Sequence, residues 1–147
     1  MRNPPPNSGG GWHFLPYVNP SGRSPVLDFL AELQEKHVKK RLQFDVLRQN
    51  LEAAGPFAVG GTYWEAVGDE LYEMSWGRCR IYCCLSKVSR KRVMMLLGVI
   101  KLWPKFRPGD RNLCLQYKAD IESAAYDQEH RELLYQAHCQ RRARGSA

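Results

Sequence analysis

A chain of 147 residues is long enough for one domain with a real core and too short for two to be expected. Its 22 lysines and arginines outweigh 15 aspartates and glutamates for a formal charge of +7, which would attract nucleic acid, an acidic protein or an anionic surface and equally describes a small basic protein that is merely soluble. With no apolar signal segment at the start, no apolar stretch of membrane-spanning length and five cysteines without paired spacing, the expected setting is a reducing cytoplasm with no membrane partner.

Met1 to Gly11 combines three prolines with three glycines, too little apolar surface to offset ordering, and is read as a flexible leader ahead of a domain over 12–125. Trp12 to Val18 is rich in aromatic and apolar residues and reads as a first strand that Pro16 confines to an edge or ends early. Asn19-Pro20-Ser21-Gly22 turns the chain, and Ser24 followed by Pro25 starts a helix, because the hydroxyl can cap free amides and the proline loses no needed donor. Val26, Leu30 and Leu33 recur at helical spacing, with Leu27 and Phe29 widening the face and Asp28 suiting the dipole. The polar run Gln34 to His37 predicts a break or bend. A second amphipathic segment carries Val38, Leu42 and Val46 together with Phe44, Leu47 and Leu51, and stops at Gly55-Pro56.

Tyr63 to Val67 reads as a short strand or as the approach to a hairpin, with Gly68-Asp69 as its turn. Leu71 to Trp76 alternates, placing Tyr72, Met74 and Trp76 on one face and Leu71, Glu73 and Ser75 on the other. Beyond Gly77, Cys79, Ile81, Cys83 and Leu85 share one face and Arg78, Arg80, Tyr82 and Cys84 the opposite one. The apolar run from Val93 to Ile100 suits a central strand covered on both faces. Pro108-Gly109-Asp110 predicts a helix start, with Leu113, Tyr117, Ile121 and Ala124 as its packed face. Over 126–147 the apolar residues thin to Leu133, Leu134 and Ala137, which reads as a helical extension or a frayed tail.

Chemistry is constrained first by what is missing. Cys79, Cys83 and Cys84 lie too close along one strand for a tetrahedral site, and no paired CxxC, HExxH or phosphate-loop pattern occurs, so neither a metal nor a small-molecule cofactor is expected. His13, His37, His130 and His138 are scattered, and only His13 falls on a strand. What remains is cationic: Arg78 and Arg80 on one strand, Lys101 where the central strand emerges, and Lys105 with Arg107 just beyond. Arginine can hold two phosphate oxygens in its planar fork and lysine supplies a compact charge, while RNA cleavage without a metal draws its nucleophile from the ribose 2′-hydroxyl. Arg78 and Arg80 can equally serve only to keep one sheet face soluble. Lys87, Arg90 and Lys91 form a hairpin tip that is either solvated or set on a phosphate backbone.

Several short motifs in order, SPVLDFLAEL, AAGPF, VGDELYEMSW, RCRIYC and LLGVIK, resemble the phage-derived HigB-like branch of the RelE/ParE toxin superfamily over Trp12 to Ala125. The resemblance implies an α+β fold, a small antiparallel sheet packed by N-terminal helices and a C-terminal helix, with a groove left on the far face. It further implies the toxin of a type II toxin–antitoxin pair, an endoribonuclease that cuts mRNA on the ribosome and is neutralised by an antitoxin of helix-turn-helix type. Arg80 matches the arginine of the family's Arg-apolar-apolar-Tyr strand pattern, although Tyr82 comes one residue early, and would stabilise the transition-state phosphate. Lys101 matches a basic residue at the end of the last strand and would position phosphate or transfer a proton. Ser75 and Leu102 stand where related sequences usually carry cations. A ParE-like toxin that inhibits a topoisomerase without catalysis, and a mobile-element module that only binds nucleic acid or a partner, are the competing expectations.

Overall fold

The computed structural model describes residues 9–58, 61–102 and 104–145, so most of the expected leader, and Trp103, lie outside the described residues. In chain order the elements are β1 (His13–Pro16), α1 (Pro25–Lys36), α2 (Val38–Ala54), a 3-10 turn (Pro56–Ala58), β2 (Trp64–Gly68), β3 (Leu71–Trp76), β4 (Cys79–Leu85), β5 (Arg92–Ile100), α3 (Pro108–Ile121) and α4 (Gln128–Gly145). The fold is α+β, with four helices and one five-stranded sheet in the order β1-β5-β4-β3-β2.

Local chemistry sets the boundaries. The Ser24 hydroxyl accepts the Leu27 amide at 3.3 Å to cap α1, and the chain breaks at His37, whose amide donates to the Leu33 carbonyl at 2.7 Å. Gly55, at φ 89°, ends α2 in a conformation that a side chain would strain. β2, β3, β4 and β5 follow one another as antiparallel neighbours.

The expectation of a wholly antiparallel sheet is corrected at its edge. β1 runs parallel to β5, from His13 opposite Arg92 to Pro16 opposite Met95. Such pairing needs a long crossover, and α1, α2 and the β2–β4 meander supply it. Pro16 is tolerated because β1 is an edge strand.

β5 is buried on both faces, as its apolar run predicts. Val93 and Met95 join Phe14, Met74, Trp76, Ile81 and Cys83 against the α1–α2 layer, contributed by Val26, Leu30, Leu33, Phe44 and Leu51. Met94 and Leu96 join Tyr82 and Cys84 on the other side, against Tyr17, Cys114 and Ile121. The far face therefore carries a second core under α3 in place of the open groove. A Cβ on Gly98 would collide with the Phe29 ring, so α1 can approach β5 this closely only over a glycine.

Two predicted helix faces are corrected. α2 buries Phe44, Leu47 and Leu51, while Val38, Leu42 and Val46 are 50%, 59% and 59% exposed. At 3.6 residues per turn the two sets point about half a turn apart, so only one of them can meet the sheet. In α3 the buried residues are Cys114 and Ile121, with Tyr117 packed beside them; Leu113 is exposed, and so is Ala124, which lies beyond the helix end. Tyr117 and Ile121 pack as expected, and Cys114 takes the buried place expected for Leu113.

The chain beyond Asp127 is a docked helix held by polar contacts. Arg131, only 6% exposed, donates to the Val18 carbonyl at 2.8 Å and to both carboxylate oxygens of Asp120 at 2.8 and 3.1 Å. The Tyr17 hydroxyl donates to Asp120 at 2.6 Å, and its ring stacks against Tyr117 and Tyr126. Gln128 adds a bond to the Pro16 carbonyl at 2.8 Å. Burial and then the Asp120 carboxylate push the Tyr17 phenol well up, and the bond from Arg131 holds Asp120 below the usual carboxylate range. Among the described residues no helix is long and apolar enough to cross a membrane.

Removing Arg131 would leave Asp120 without its counter-charge, so Arg131→Ala should cost about 3 kcal/mol in urea unfolding, near the low end for a buried pair because Asp120 is partly exposed. Asp120 titrates lower in the folded chain than in the unfolded one, so its stabilisation is present above the unfolded carboxylate value, roughly 4, and is lost as pH falls through the folded value. Asp120→Asn should remove that component of the acid sensitivity, measured as stability against pH.

Candidate functional site

The register of three strands assembles one polar cluster where the sheet ends. Glu73 lies opposite Tyr82, Ser75 opposite Arg80, and Arg80 opposite Val99. Alternation puts Glu73, Arg80, Tyr82, Val99 and Lys101 on the same face as the α3 core. The ladder continues one residue past β5, where the Lys101 amide donates to the Arg78 carbonyl at 2.7 Å. Toward β1 this face is closed by apolar packing; at the β3–β4 turn it is closed by charge.

Glu73 is the centre of that charge. It is 8% exposed and pairs through one carboxylate oxygen with the Arg80 guanidinium and with Lys101 Nζ at 3.6 Å. Arg80 also donates to the Gly77 and Cys79 carbonyls at 2.6 and 2.9 Å, which fixes its planar group against the turn. A cavity of about 130 Å³ opens beside Lys101 and Tyr82, completed by Val99, Leu102, Lys105, Arg107 and Asp110. Its wall is rigid. Tyr82 stacks on Phe106 at 3.8 Å with the rings 4° apart, and the Arg111 guanidinium covers the other side of Phe106 at 4.4 Å. Arg111 is itself tied to Asp69 at 3.1 Å and to the Val67 carbonyl at 2.8 Å. This clamp holds the turn that brings Lys105 and Arg107 to the cavity. Burial, followed by the nearby Glu73 and Asp110 carboxylates, pushes the Tyr82 phenol up to about 12, so it remains a hydrogen-bond donor at neutral pH.

Of the residues singled out in the sequence, Lys101, Lys105 and Arg107 line the cavity, and Arg80, outside the lining, joins them through Glu73, which it shares with Lys101. Arg78 is exposed at the turn before β4, outside the cavity lining. Lys87, Arg90 and Lys91 lie at the opposite end of the β4–β5 hairpin. There Lys87 pairs with Glu70 at 3.4 Å and Glu122 at 3.5 Å, Lys91 donates to the Gly10 carbonyl at 2.8 Å, and Arg90 is exposed. His13, opposite Arg92, belongs to that same far end. Ser75 donates to the Thr62 carbonyl at 3.0 Å and so anchors the chain before β2, and Leu102 is 70% exposed at the cavity rim.

Glu73 is a participant that motif reading passes over, and Tyr82 enters that reading only as a displaced pattern position with no role of its own. Their signal was present in the hairpin pattern: once Leu71–Trp76 and Cys79–Leu85 pair across Gly77, Glu73 and Arg80 must share a face and meet diagonally. Four of the five thiols are poor nucleophiles, since burial raises Cys79, Cys83, Cys84 and Cys114. Among the described residues no three His, Cys, Asp or Glu side chains gather as a metal-ligand set. The cavity is below the usual several hundred Å³ of a small-molecule site and matches a phosphate-sized group better than a whole nucleotide. No protein-family model matches the chain, and no curated protein matches it in sequence.

Lys105 is an exposed cation on the cavity wall whose loss leaves the Glu73 cluster untouched. Lys105→Ala should weaken single-stranded RNA binding and lower the slope of log affinity against log salt by about 0.7, the value for one phosphate contact. An unchanged slope in fluorescence anisotropy would place RNA elsewhere.

Proposed function

We propose that the chain is a HigB-like toxin of the RelE/ParE superfamily, a cytoplasmic endoribonuclease that cuts mRNA on the ribosome and is held in check by an antitoxin of helix-turn-helix type. The observation that carries this reading is the shared grip of Arg80 and Lys101 on Glu73 beside a phosphate-sized cavity. Those three side chains supply what 2′-hydroxyl attack requires. Glu73 takes the proton from the hydroxyl, the 2′-oxygen forms a bond to phosphorus, and the bond to the 5′-oxygen breaks. Arg80 and Lys101 then release part of their hold on Glu73 and face the added negative charge of the phosphorane. Lys101 delivers the proton that the departing 5′-oxygen needs, while the Tyr82 phenol hydrogen-bonds a phosphate oxygen. Lys105 and Arg107 guide the backbone on either side.

One observation favours a binding role without catalysis, either on a topoisomerase or on another partner. Ser75 and Leu102 replace two expected cations, and the Ser75 hydroxyl is committed to Thr62. A gyrase supercoiling assay separates that reading from the first.

Added to a translation extract, the protein should cut message at ribosome-occupied codons, and Arg80→Ala and Lys101→Ala should each slow cutting at least about tenfold, by the scale for losing one transition-state donor. Glu73→Gln keeps an acceptor for both cations but cannot accept the proton, so it should lower the cleavage rate without weakening RNA binding. Intact message at high protein concentration would end the nuclease reading.

A further inference from the structure

A second surface lies on the α2 side of the sheet. Val38, Leu42 and Val46 recur every fourth residue along the outer side of α2 and are each at least half exposed. They form an apolar stripe that the sheet does not use. Beside the stripe, Lys40, Leu42, Val46, Tyr63 and Trp76 line an open groove of about 730 Å³. Its floor is fixed, because the Trp76 indole donates to the Lys40 carbonyl at 3.0 Å and the Trp76 ring packs on Phe44. The fixed tryptophan and the Val38–Leu42–Val46 stripe on a helix make a preformed apolar seat, with little ordering left to be done on binding.

The charges around the seat select its occupant. Lys40 lines it, Lys39 and Arg78 are the exposed chain neighbours of its lining residues Lys40 and Gly77, and none of the three is paired with a carboxylate among the described residues. No carboxylate is among the residues that line the groove. A second copy of this chain would bring a body of net charge +7 against a basic rim. Single-stranded RNA would find one exposed ring, Tyr63, because Trp76 is only 6% exposed, and beside it the aliphatic stripe of Val38, Leu42 and Val46, where successive bases need successive aromatic rings. An amphipathic helix with apolar residues three and four apart and acidic flanks matches both the stripe and the rim.

We propose that this face of α2 docks an acidic amphipathic helix of a partner protein, with the apolar side of that helix on Leu42, Val46, Tyr63 and Trp76 and its carboxylates on Lys39, Lys40 and Arg78. The site stands apart from the Glu73 cluster in its residues, and the proposal holds whether or not Arg80 and Lys101 cleave RNA.

The test is fluorescence anisotropy of the full chain with a labelled designed peptide of about 18 residues, roughly five helical turns, carrying Leu on one face and Glu on the other. The acidic peptide should bind, should weaken as salt rises, and should bind at least about tenfold better than its Lys-for-Glu counterpart. Leu42→Asp and Val46→Asp should each reduce binding at least about tenfold while leaving the melting curve unchanged, since both side chains are exposed; Leu42→Ser, which adds no charge, repeats the measurement if aspartate disturbs the helix. Equal binding of the two peptides, undiminished binding by the variants, or no binding at all would overturn the proposal. So would a wild-type dimer in sedimentation that Leu42→Ser dissociates, or single-stranded RNA binding lost in the same variants.

Discussion

Burial of β5 on both faces is the constraint from which the rest of the arrangement follows. A strand with apolar neighbours above and below tolerates no charge along Val93–Leu96, so it needs a hydrogen-bonding partner on each edge and a helix layer on each side. β1 supplies the second edge in parallel, α1 the first layer over Gly98, and α3 the second through its Cys114 and Ile121. Charge then sits at the ends of β5, Arg92 where it enters the sheet and Lys101 just past where it leaves. Arg80, opposite Val99, meets it because β4 and β5 are in register at that end.

Two half-buried cations in one place are costly unless a counter-charge accompanies them. Glu73 fills that role, and in the proposed reaction it is also the base. Its carboxylate satisfies Arg80 and Lys101 in the free chain, and the same geometry leaves it beside the groups that would face a phosphate. The other end of the molecule solves a related problem in the same way. Arg131 is buried from α4, and Asp120 and the Val18 carbonyl meet it, so a helix with few apolar residues still docks. Tyrosines border both clusters, Tyr82 at one and Tyr17 at the other, and burial raises both phenols.

Much of the fold was legible because its local signals agree with its packing. Ser24-Pro25, the break at His37, Gly55, the alternation of Leu71–Trp76 and the doubly buried run of β5 all read directly from residue type and spacing. What could not be read depends on distant partners. The direction of β1 is set by a crossover of more than sixty residues, and nothing in His13–Pro16 itself encodes it. α2 carries two apolar stripes, one in Phe44, Leu47 and Leu51 and one in Val38, Leu42 and Val46, and periodicity alone cannot say which meets the sheet. α4 docks by hydrogen bonds, to which apolar counting is blind. At the candidate site the cations were visible as isolated basic residues at strand ends, whereas Glu73 became visible only through its cross-strand neighbours.

The central claim is that Glu73, Arg80 and Lys101 direct a ribose 2′-hydroxyl onto its own phosphodiester, and the ends of the cleaved message record that step most directly. Mapping the ends of fragments produced in a translation extract should find a 2′,3′-cyclic phosphate, or the 3′-phosphate it opens to, on the upstream piece and a 5′-hydroxyl on the downstream piece. Fragments bearing a 3′-hydroxyl and a 5′-phosphate would mean that water, not the ribose, was the nucleophile, and would contradict the account.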